Sequence, residues 1–223
     1  GVAAVIIIQG TDTLEESATF FDYLWAHDEP LVLTGAMRSA AQAGADGPAN
    51  LLDAGRVALA ACSRGRGAQV VINGEIHRAS SVRKVDSMAM HAFASPLTGP
   101  AGLIIEGAAR YFRAPVARHV LPIPQDTHQN IALLEASLGA DSRLLDKVVE
   151  LGYAGLVIAG FGAGHVSAQW ADVIEGIARH IPVIIATRTG CGATAQATYG
   201  FAGSEIDITR KGALMAGFLC PRK

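Results

Sequence analysis

A chain of 223 residues, half of them hydrophobic, is long enough to bury the core of one large domain or two small ones. A formal net charge of −2 and the lack of a basic stripe argue against nucleic acid as a partner. The apolar runs are only as long as strands, which argues against a membrane span, and the three widely separated cysteines fit a reduced, cytoplasmic compartment.

Strands and helices alternate through the first half of the predicted structure. The apolar run at 2–8 predicts a buried parallel strand, and apolar residues at helical spacing from 14 to 25 predict a helix after it. A glycine-rich loop at 35–49 separates the next strand from the next helix. The remaining predictions for this half are a helix at 50–62 and strands at 31–34, 69–73, 80–85, 103–106 and 119–123.

Alternation resumes after a proline-containing linker, predicted at 116–127. The chain therefore divides into a predicted first domain at 1–115 and a smaller second domain at 128–223. The second domain has predicted strands at 131–135, 155–159 and 182–187, and predicted helices at 142–151, 168–180 and 209–218. This order predicts an α/β protein with two domains built on mainly parallel sheets.

Two polar side chains follow the first predicted strand. Thr11 and Asp12 lie between the strand at 2–8 and the helix that follows it. Open parallel sheets bind ligands at the carboxyl ends of their strands, so a hydroxyl and a carboxylate there predict nucleophilic or proton-transfer chemistry. The structural alternative is a capping box, with Thr13 as the N-cap and Glu16 at the third helical position. Both interpretations can hold together.

The loop after the second strand and a later lysine are expected to reach the same crevice. Gly35 would let backbone groups approach a small ligand closely, whereas Asn50 is interpreted mainly as the N-cap of the next helix. Lys84 lies in a short β-type run, where a solvated edge residue is the ordinary interpretation. If Lys84 lies beside Asp12, it could take a proton from a threonine hydroxyl.

Two glycine-rich segments follow strands in the second half, at 160–165 and 187–192. The first resembles a phosphate-binding loop, but its third glycine comes too early for the dinucleotide fingerprint, and a glycine-lined turn is predicted instead. Cys191 has no obvious histidine partner and is predicted to be a small, half-buried residue. His165 is predicted to be structural.

Taken together, these motifs resemble the bacterial-type L-asparaginase family over essentially the whole chain. Residues 10–16, Gly-Thr-Asp-Thr-Leu-Glu-Glu, resemble the family's second threonine motif. Gly-Ala-Met-Arg at 35–38, with Asp-Gly-Pro-Ala-Asn-Leu at 46–51, resembles the segment that follows it. Residues 155–167 and 187–192 resemble parts of the family's C-terminal domain.

The resemblance implies two flavodoxin-like domains and hydrolysis of L-asparagine to L-aspartate and ammonia through a threonine acyl-enzyme, with some glutaminase activity. It implies a homotetramer and no metal or organic cofactor. Thr11, Asp12 and Lys84 match the family's catalytic Thr-Asp-Lys set, and Gly10 and Ala36 match positions whose backbone borders the substrate.

Three departures from the family pattern limit the expectation. The family's principal nucleophile lies in an N-terminal Thr-Gly-Gly-Thr-Ile motif, after which this chain is expected to begin, and the last helix is expected to be cut off at Lys223. Cys191 stands where the family often has an Asn that reaches a neighbouring subunit's site, and a thiol cannot reproduce an amide's hydrogen bonds. The excerpt alone is therefore expected to be inactive.

Two other functions remain open on the sequence. One is the amidase subunit of a tRNA-dependent amidotransferase, which would require a partner subunit. The other is a catalytically dead amino-acid-binding module. The coding sequence upstream of Gly1 would discriminate among these alternatives and the hydrolase. A Thr-Gly-Gly-Thr-Ile segment there favours the hydrolase, and a long extra domain favours the amidotransferase.

Overall fold

The computed structural model describes residues 1–223 and divides into two compact units, Gly1–Ile123 and Pro124–Lys223. Each unit has a sheet with helices between its strands, so the predicted α/β class is confirmed. The longest helix has 13 residues. None of the helices combines the length and the apolar character needed to cross a membrane.

The first unit contains a six-stranded sheet with the order β1-β2-β3-β4-β7-β8, and a separate hairpin of β5 and β6. The first three strands of the sheet are parallel, and β4, β7 and β8 are antiparallel to their neighbours. The elements are β1 Val5–Ile8, α1 Leu14–Leu24, β2 Leu31–Thr34, α2 Gly47–Leu59, β3 Ala68–Ile72, β4 Glu75–Arg78, β5 Arg83–Lys84, β6 Phe93–Ala94, β7 Gly102–Ile105 and β8 Ala108–Tyr111.

The two helices of this unit cover opposite faces of the sheet. Successive side chains of a strand point to opposite faces, and β2 is buried at all four positions. Leu31 and Leu33 pack in one cluster with Leu14 of α1, whereas Val32 packs in another with Val57 of α2. The burial of all four residues of β2 thus reflects a strand covered on both sides.

The first strand is parallel as predicted, but it is not buried. It lies at the end of the sheet and pairs only with β2, so its side chains alternate between half-buried and exposed. Ile8 is 67% exposed. The predicted strand at 119–123 is also wrong: this segment is mostly exposed, and Pro122, which has no backbone N–H, interrupts any ladder.

The second unit contains four parallel strands in the order β12-β11-β10-β9. Its core packs Ile158 and Ile185 of the sheet against Ile174 of α3. Helix α3 begins where the Trp170 N–H donates to Ser167 Oγ at 3.2 Å. The elements are β9 Ile131–Glu135, β10 Gly155–Gly160, α3 Ala168–Ile177, β11 Val183–Thr187, α4 Glu205–Arg210 and β12 Leu214–Met215.

Two predicted helices of this unit are wrong. Residues 142–151 form turns with a single 3₁₀ segment, Leu145–Lys147, in which the N–H groups of Lys147 and Val148 donate to carbonyls three residues earlier. The helix predicted at 209–218 begins earlier, at Glu205, and ends before Gly212, which has a φ of 96°. The chain then continues into β12.

A buried histidine in the first unit should make its stability depend on pH. His77 on β4 is fully buried, with Nδ1 3.0 Å from Ser95 Oγ and Nε2 3.1 Å from Glu75 Oε2. Burial lowers the pKa of His77 from 6.5 to about 4 and also raises the pKa of Glu75. As the pH falls below 6.5, the unfolded chain binds a proton that folded His77 does not, so the contribution of His77 to the free energy of unfolding should decrease by about 3 kcal/mol by pH 4, whereas the raised pKa of Glu75 acts in the opposite direction.

Urea unfolding at a series of pH values between 7 and 4 measures this loss. A His77→Gln variant supplies the comparison, because it keeps a polar side chain beside Ser95 and does not titrate. The wild-type protein should lose more stability than the variant over this range. Equal pH dependence in the two proteins would contradict the burial of a neutral His77.

Candidate active site

The structure brings Thr11, Asp12 and Lys84 together. Thr11 and Asp12 follow the carboxyl end of β1, and Lys84 lies on β5. Lys84 Nζ donates to Thr11 Oγ1 at 2.9 Å and to Asp12 Oδ1 at 3.1 Å. The Lys84 side chain is 17% exposed, whereas that of Asp12 is 96% exposed. The Lys84 side chain is therefore largely buried in the protein, whereas the Asp12 carboxylate faces solvent.

A buried carboxylate that sequence reasoning missed fixes the backbone of the lysine. Glu15, in the first turn of α1, is 2% exposed, and its Oε2 accepts a hydrogen bond from the Lys84 N–H at 2.6 Å. The signal in the sequence is weak: Glu15 and Thr19 are one turn apart and directly follow the apolar Leu14 and Ala18. The four residues form the buried stripe of α1.

The predicted capping box does not form. Thr13 occupies the N-cap position of α1 but makes no side-chain capping hydrogen bond. Its Oγ1 instead accepts a hydrogen bond from Gln9 Nε2 at 2.8 Å. This contact bridges the residues on either side of Thr11 and Asp12, so it closes the turn that presents them.

Asn50 joins the loops that follow β2 and β3, although it is not the N-cap that the sequence predicts. Helix α2 begins at Gly47, so Asn50 lies within its first turn and is 3% exposed. Its Nδ2 donates to Gly35 O and to Asp46 Oδ2, each at 2.9 Å, and its Oδ1 accepts from Asn73 N at 2.9 Å. All three partners of the Asn50 amide belong to the protein itself, so Asn50 holds the ends of β2 and β3 in position.

Asp46 shapes the loop after β2. Its two carboxylate oxygens accept from the backbone N–H groups of Met37 and Arg38, each at 2.9 Å. Burial opposes ionisation, but these donors, together with Asn50, lower the pKa of Asp46 overall. The loop conformation therefore depends on a charged Asp46.

Gly10 and Ala36, whose backbone is predicted to border the substrate, differ in their surroundings. Ala36 is half-buried in the loop that Asp46 and Asn50 hold. Gly10 has open space at the position of a Cβ atom. Gly35 has no such space: a Cβ there would lie 2.4 Å from Gln9 O, so the close approach that requires glycine is between two loops of the protein itself.

Cys191 and the two glycine-rich segments lie in the second unit. Cys191 is exposed, not half-buried as predicted, and its carbonyl accepts from Thr189 Oγ1 at 2.7 Å. Residues 160–165 form the predicted glycine-lined turn, in which a Cβ on Gly160 would lie 2.7 Å from His165 O. His165 Nε2 lies 3.1 Å from a carboxylate oxygen of the buried Glu205.

The contacts of Lys84 form a path along which a proton can move. An ammonium at Lys84 donates to the Thr11 hydroxyl, and a neutral amine at the same place could accept the hydroxyl proton along the same 2.9 Å line. The exposed carboxylate of Asp12 is available to a cationic group of a ligand. No group of three or more His, Cys, Asp or Glu side chains is arranged to hold a metal ion.

Comparisons with known proteins assign both parts of the chain to one family. Residues 1–117 match the family described as "Asparaginase, N-terminal". Residues 130–223 match the "Glutaminase/Asparaginase C-terminal domain". The two matches cover both units and include all the candidate site residues.

Three curated relatives match nearly the whole chain. The "Probable L-asparaginase" of Deinococcus radiodurans is 38% identical over 227 residues, 100% of this chain and 69% of the relative. The "Probable L-asparaginase periplasmic" of Haemophilus influenzae is 34% identical, over 98% of this chain and 62% of the relative. The "L-asparaginase 2" of Escherichia coli is 32% identical, over 98% of this chain and 63% of the relative.

The chain thus spans less than two thirds of the length of two of these relatives. The matched family models nevertheless account for most of each unit, at residues 1–117 and 130–223. On these matches, the chain belongs to the bacterial-type L-asparaginase family.

Proposed function

We propose that the complete protein hydrolyses L-asparagine to L-aspartate and ammonia. The observation that carries the proposal is the convergence of Thr11, Asp12 and Lys84 after the carboxyl end of a parallel strand. Membership of the asparaginase family supports it, as do relatives named L-asparaginase. The second matched domain is described as glutaminase/asparaginase, which supports L-glutamine as a slower substrate.

The proposed reaction is acyl transfer to water. A threonine hydroxyl attacks the side-chain amide carbon, its proton passes to the departing nitrogen, and ammonia leaves an ester on the enzyme. Water then hydrolyses the ester and releases aspartate. Lys84 and Thr11 provide the proton path, and backbone N–H groups at the strand ends stabilise the oxyanion.

Substrate binding in this proposal uses the exposed side of the site. Asp12 binds the substrate's α-amino group or orients Lys84, and both roles agree with its 3.1 Å contact and its exposure. The backbone of Gly10 and Ala36 borders the substrate. We retain a cytoplasmic location as a prediction only, since one relative is named periplasmic.

Partitioning of the acyl group between water and hydroxylamine tests the mechanism. The complete protein is given L-asparagine or β-aspartyl anilide, two donors that differ in leaving group, at a fixed hydroxylamine concentration. A common acyl-enzyme should give the same ratio of β-aspartyl hydroxamate to aspartate from both donors, because the partition follows loss of the leaving group.

Different ratios from the two donors would contradict a common acyl-enzyme and favour direct attack by water. Absence of ammonia release from any free amino acid, with tight binding of L-asparagine retained, would favour an amino-acid-binding module. Release that appears only when an acylated tRNA and a partner subunit are supplied would favour the amidotransferase.

We also propose that the protein is a homotetramer in which the Cys191 segment lies near the Thr11 crevice of a neighbouring subunit. Exposure of Cys191 and Thr189 agrees with this arrangement, because side chains at a subunit contact are exposed in a single chain. Analytical ultracentrifugation of the complete protein should show a tetramer at micromolar concentration. A monomer alone would contradict the proposal.

A further inference from the structure

A cavity of about 140 Å³ lies in the first unit, outside the Thr11 site. Three arginines line it, Arg66, Arg78 and Arg113, and no Asp or Glu does. A concentration of positive charge is unexpected in a chain whose net charge is −2. The cavity therefore differs electrostatically from the average surface of the protein.

The sheet places these side chains together. Gln69 on β3 and Arg78 on β4 are directly paired across the two antiparallel strands, so their side chains share one face. Tyr111 at the end of β8 lines the same cavity. The guanidinium carbon of Arg66 lies 3.7 Å from the centre of the Tyr111 ring, which holds that arginine over the ring face.

The neutral polar groups of the cavity already have partners within the protein. The Tyr111 hydroxyl donates to Gln69 Oε1 and lies 2.9 Å from Ser63 Oγ. Burial raises the pKa of Tyr111 to about 12, so the phenol stays neutral at physiological pH. These neutral groups already make their hydrogen bonds within the protein, so they do not require a ligand as a partner.

The arginines, in contrast, have unused hydrogen-bond donors. Arg66 donates only its Nε–H to a partner, Cys62 O, at 2.7 Å. The half-buried Arg78 and the exposed Arg113 have no ion-pair or hydrogen-bond partner for their guanidinium groups. Guanidinium groups form bidentate hydrogen bonds with carboxylates and phosphates, so the unused N–H donors indicate an anionic ligand.

We propose that this cavity binds a small organic anion with a carboxylate or phosphate head group and a flat apolar body. The head group would lie between the arginines, and the body against Pro100, Phe112 and Pro115, which supply apolar walls. A cavity of about 150 Å³ accommodates benzene, so a single ring fits the volume available. The proposal is independent of the reaction at Thr11, because none of the lining residues belongs to that site.

Calorimetric titration of the complete protein tests the proposal with four probes: benzoate, phenyl phosphate, inorganic phosphate and neutral benzamide. Benzoate or phenyl phosphate should bind at least about tenfold more tightly than benzamide, and the stronger of the two identifies the preferred head group. Phenyl phosphate should also bind more tightly than inorganic phosphate if the apolar walls contribute.

Variants locate the binding. Arg113→Gln changes an exposed side chain, and Arg78→Gln removes the half-buried charge; each single variant should weaken binding of the preferred probe by about tenfold. Arg110→Gln is the matched control, because Arg110 is exposed and precedes Tyr111 on β8, where alternate side chains point to the other face. It should leave affinity within about twofold.

The proposal is overturned if benzamide binds as tightly as the anions, if no probe binds at millimolar concentration, or if the control variant weakens binding as much as the others. Equal affinity for inorganic phosphate and phenyl phosphate would overturn the apolar half of the proposal. Since Arg113 is exposed, the single Arg113→Gln variant decides the matter even if Arg78→Gln destabilises the protein. Ammonia release is not measured in these titrations, so a failed hydrolase proposal gives a separate result.

Discussion

Replacement of Thr11 by Val in the complete protein should reduce ammonia release from L-asparagine by about 100- to 10,000-fold. Valine keeps the β-branched shape of threonine, so the turn after β1 retains its conformation. Only the hydroxyl that accepts from Lys84 Nζ at 2.9 Å is removed. A loss of this size would therefore report chemistry or substrate contact, not misfolding.

Thr209→Val is the matched control for this experiment. Thr209 has the same side chain and is exposed on α4 in the second unit, and its hydroxyl does not contact Lys84. This variant should keep turnover within a few-fold of the wild-type protein and should have a similar unfolding midpoint. Unchanged turnover in Thr11→Val, or an equal loss in both variants, would remove Thr11 from the mechanism.

The long, strongly patterned elements of this fold could be predicted from the sequence. The strands at 31–34 and 131–135 have the predicted bounds, and α3 begins at the predicted residue. Apolar runs of strand length between polar or glycine-rich loops carry that information locally. Strand β12 was missed because it has two residues and exists through its pairing with β11, which no local pattern specifies.

Part of the candidate site could likewise be predicted from local sequence, and part depends on contacts between distant residues. Thr11 and Asp12 could be predicted as neighbours of a ligand because both follow a strand in the sequence. The contact of Lys84 with Thr11 joins residues 73 positions apart and depends on a two-residue strand. Glu15 was missed because a carboxylate in the first turn of a helix ordinarily faces solvent, whereas this one is buried against the Lys84 backbone.

Replacement of Lys84 by Ala should also reduce turnover by about 100- to 10,000-fold, because it removes the amine from the proton path. The backbone N–H that donates to Glu15 is retained in this variant, so β5 should keep its position. Added methylamine should restore part of the activity and should saturate, since the truncated side chain leaves space for a small amine. Lys211→Ala is the control: that lysine pairs with Asp172 and Asp207 in the second unit.

The double variant Thr11→Val with Lys84→Ala distinguishes a shared step from two separate roles. If the lysine acts on the Thr11 hydroxyl, as their hydrogen bond indicates, the second substitution removes a group that has already lost its partner. The double variant should then be no slower than the slower single variant, and methylamine should not rescue it. Losses that multiply across the two substitutions, or equal rescue by methylamine with and without the Thr11 hydroxyl, would show that Lys84 acts elsewhere in the reaction.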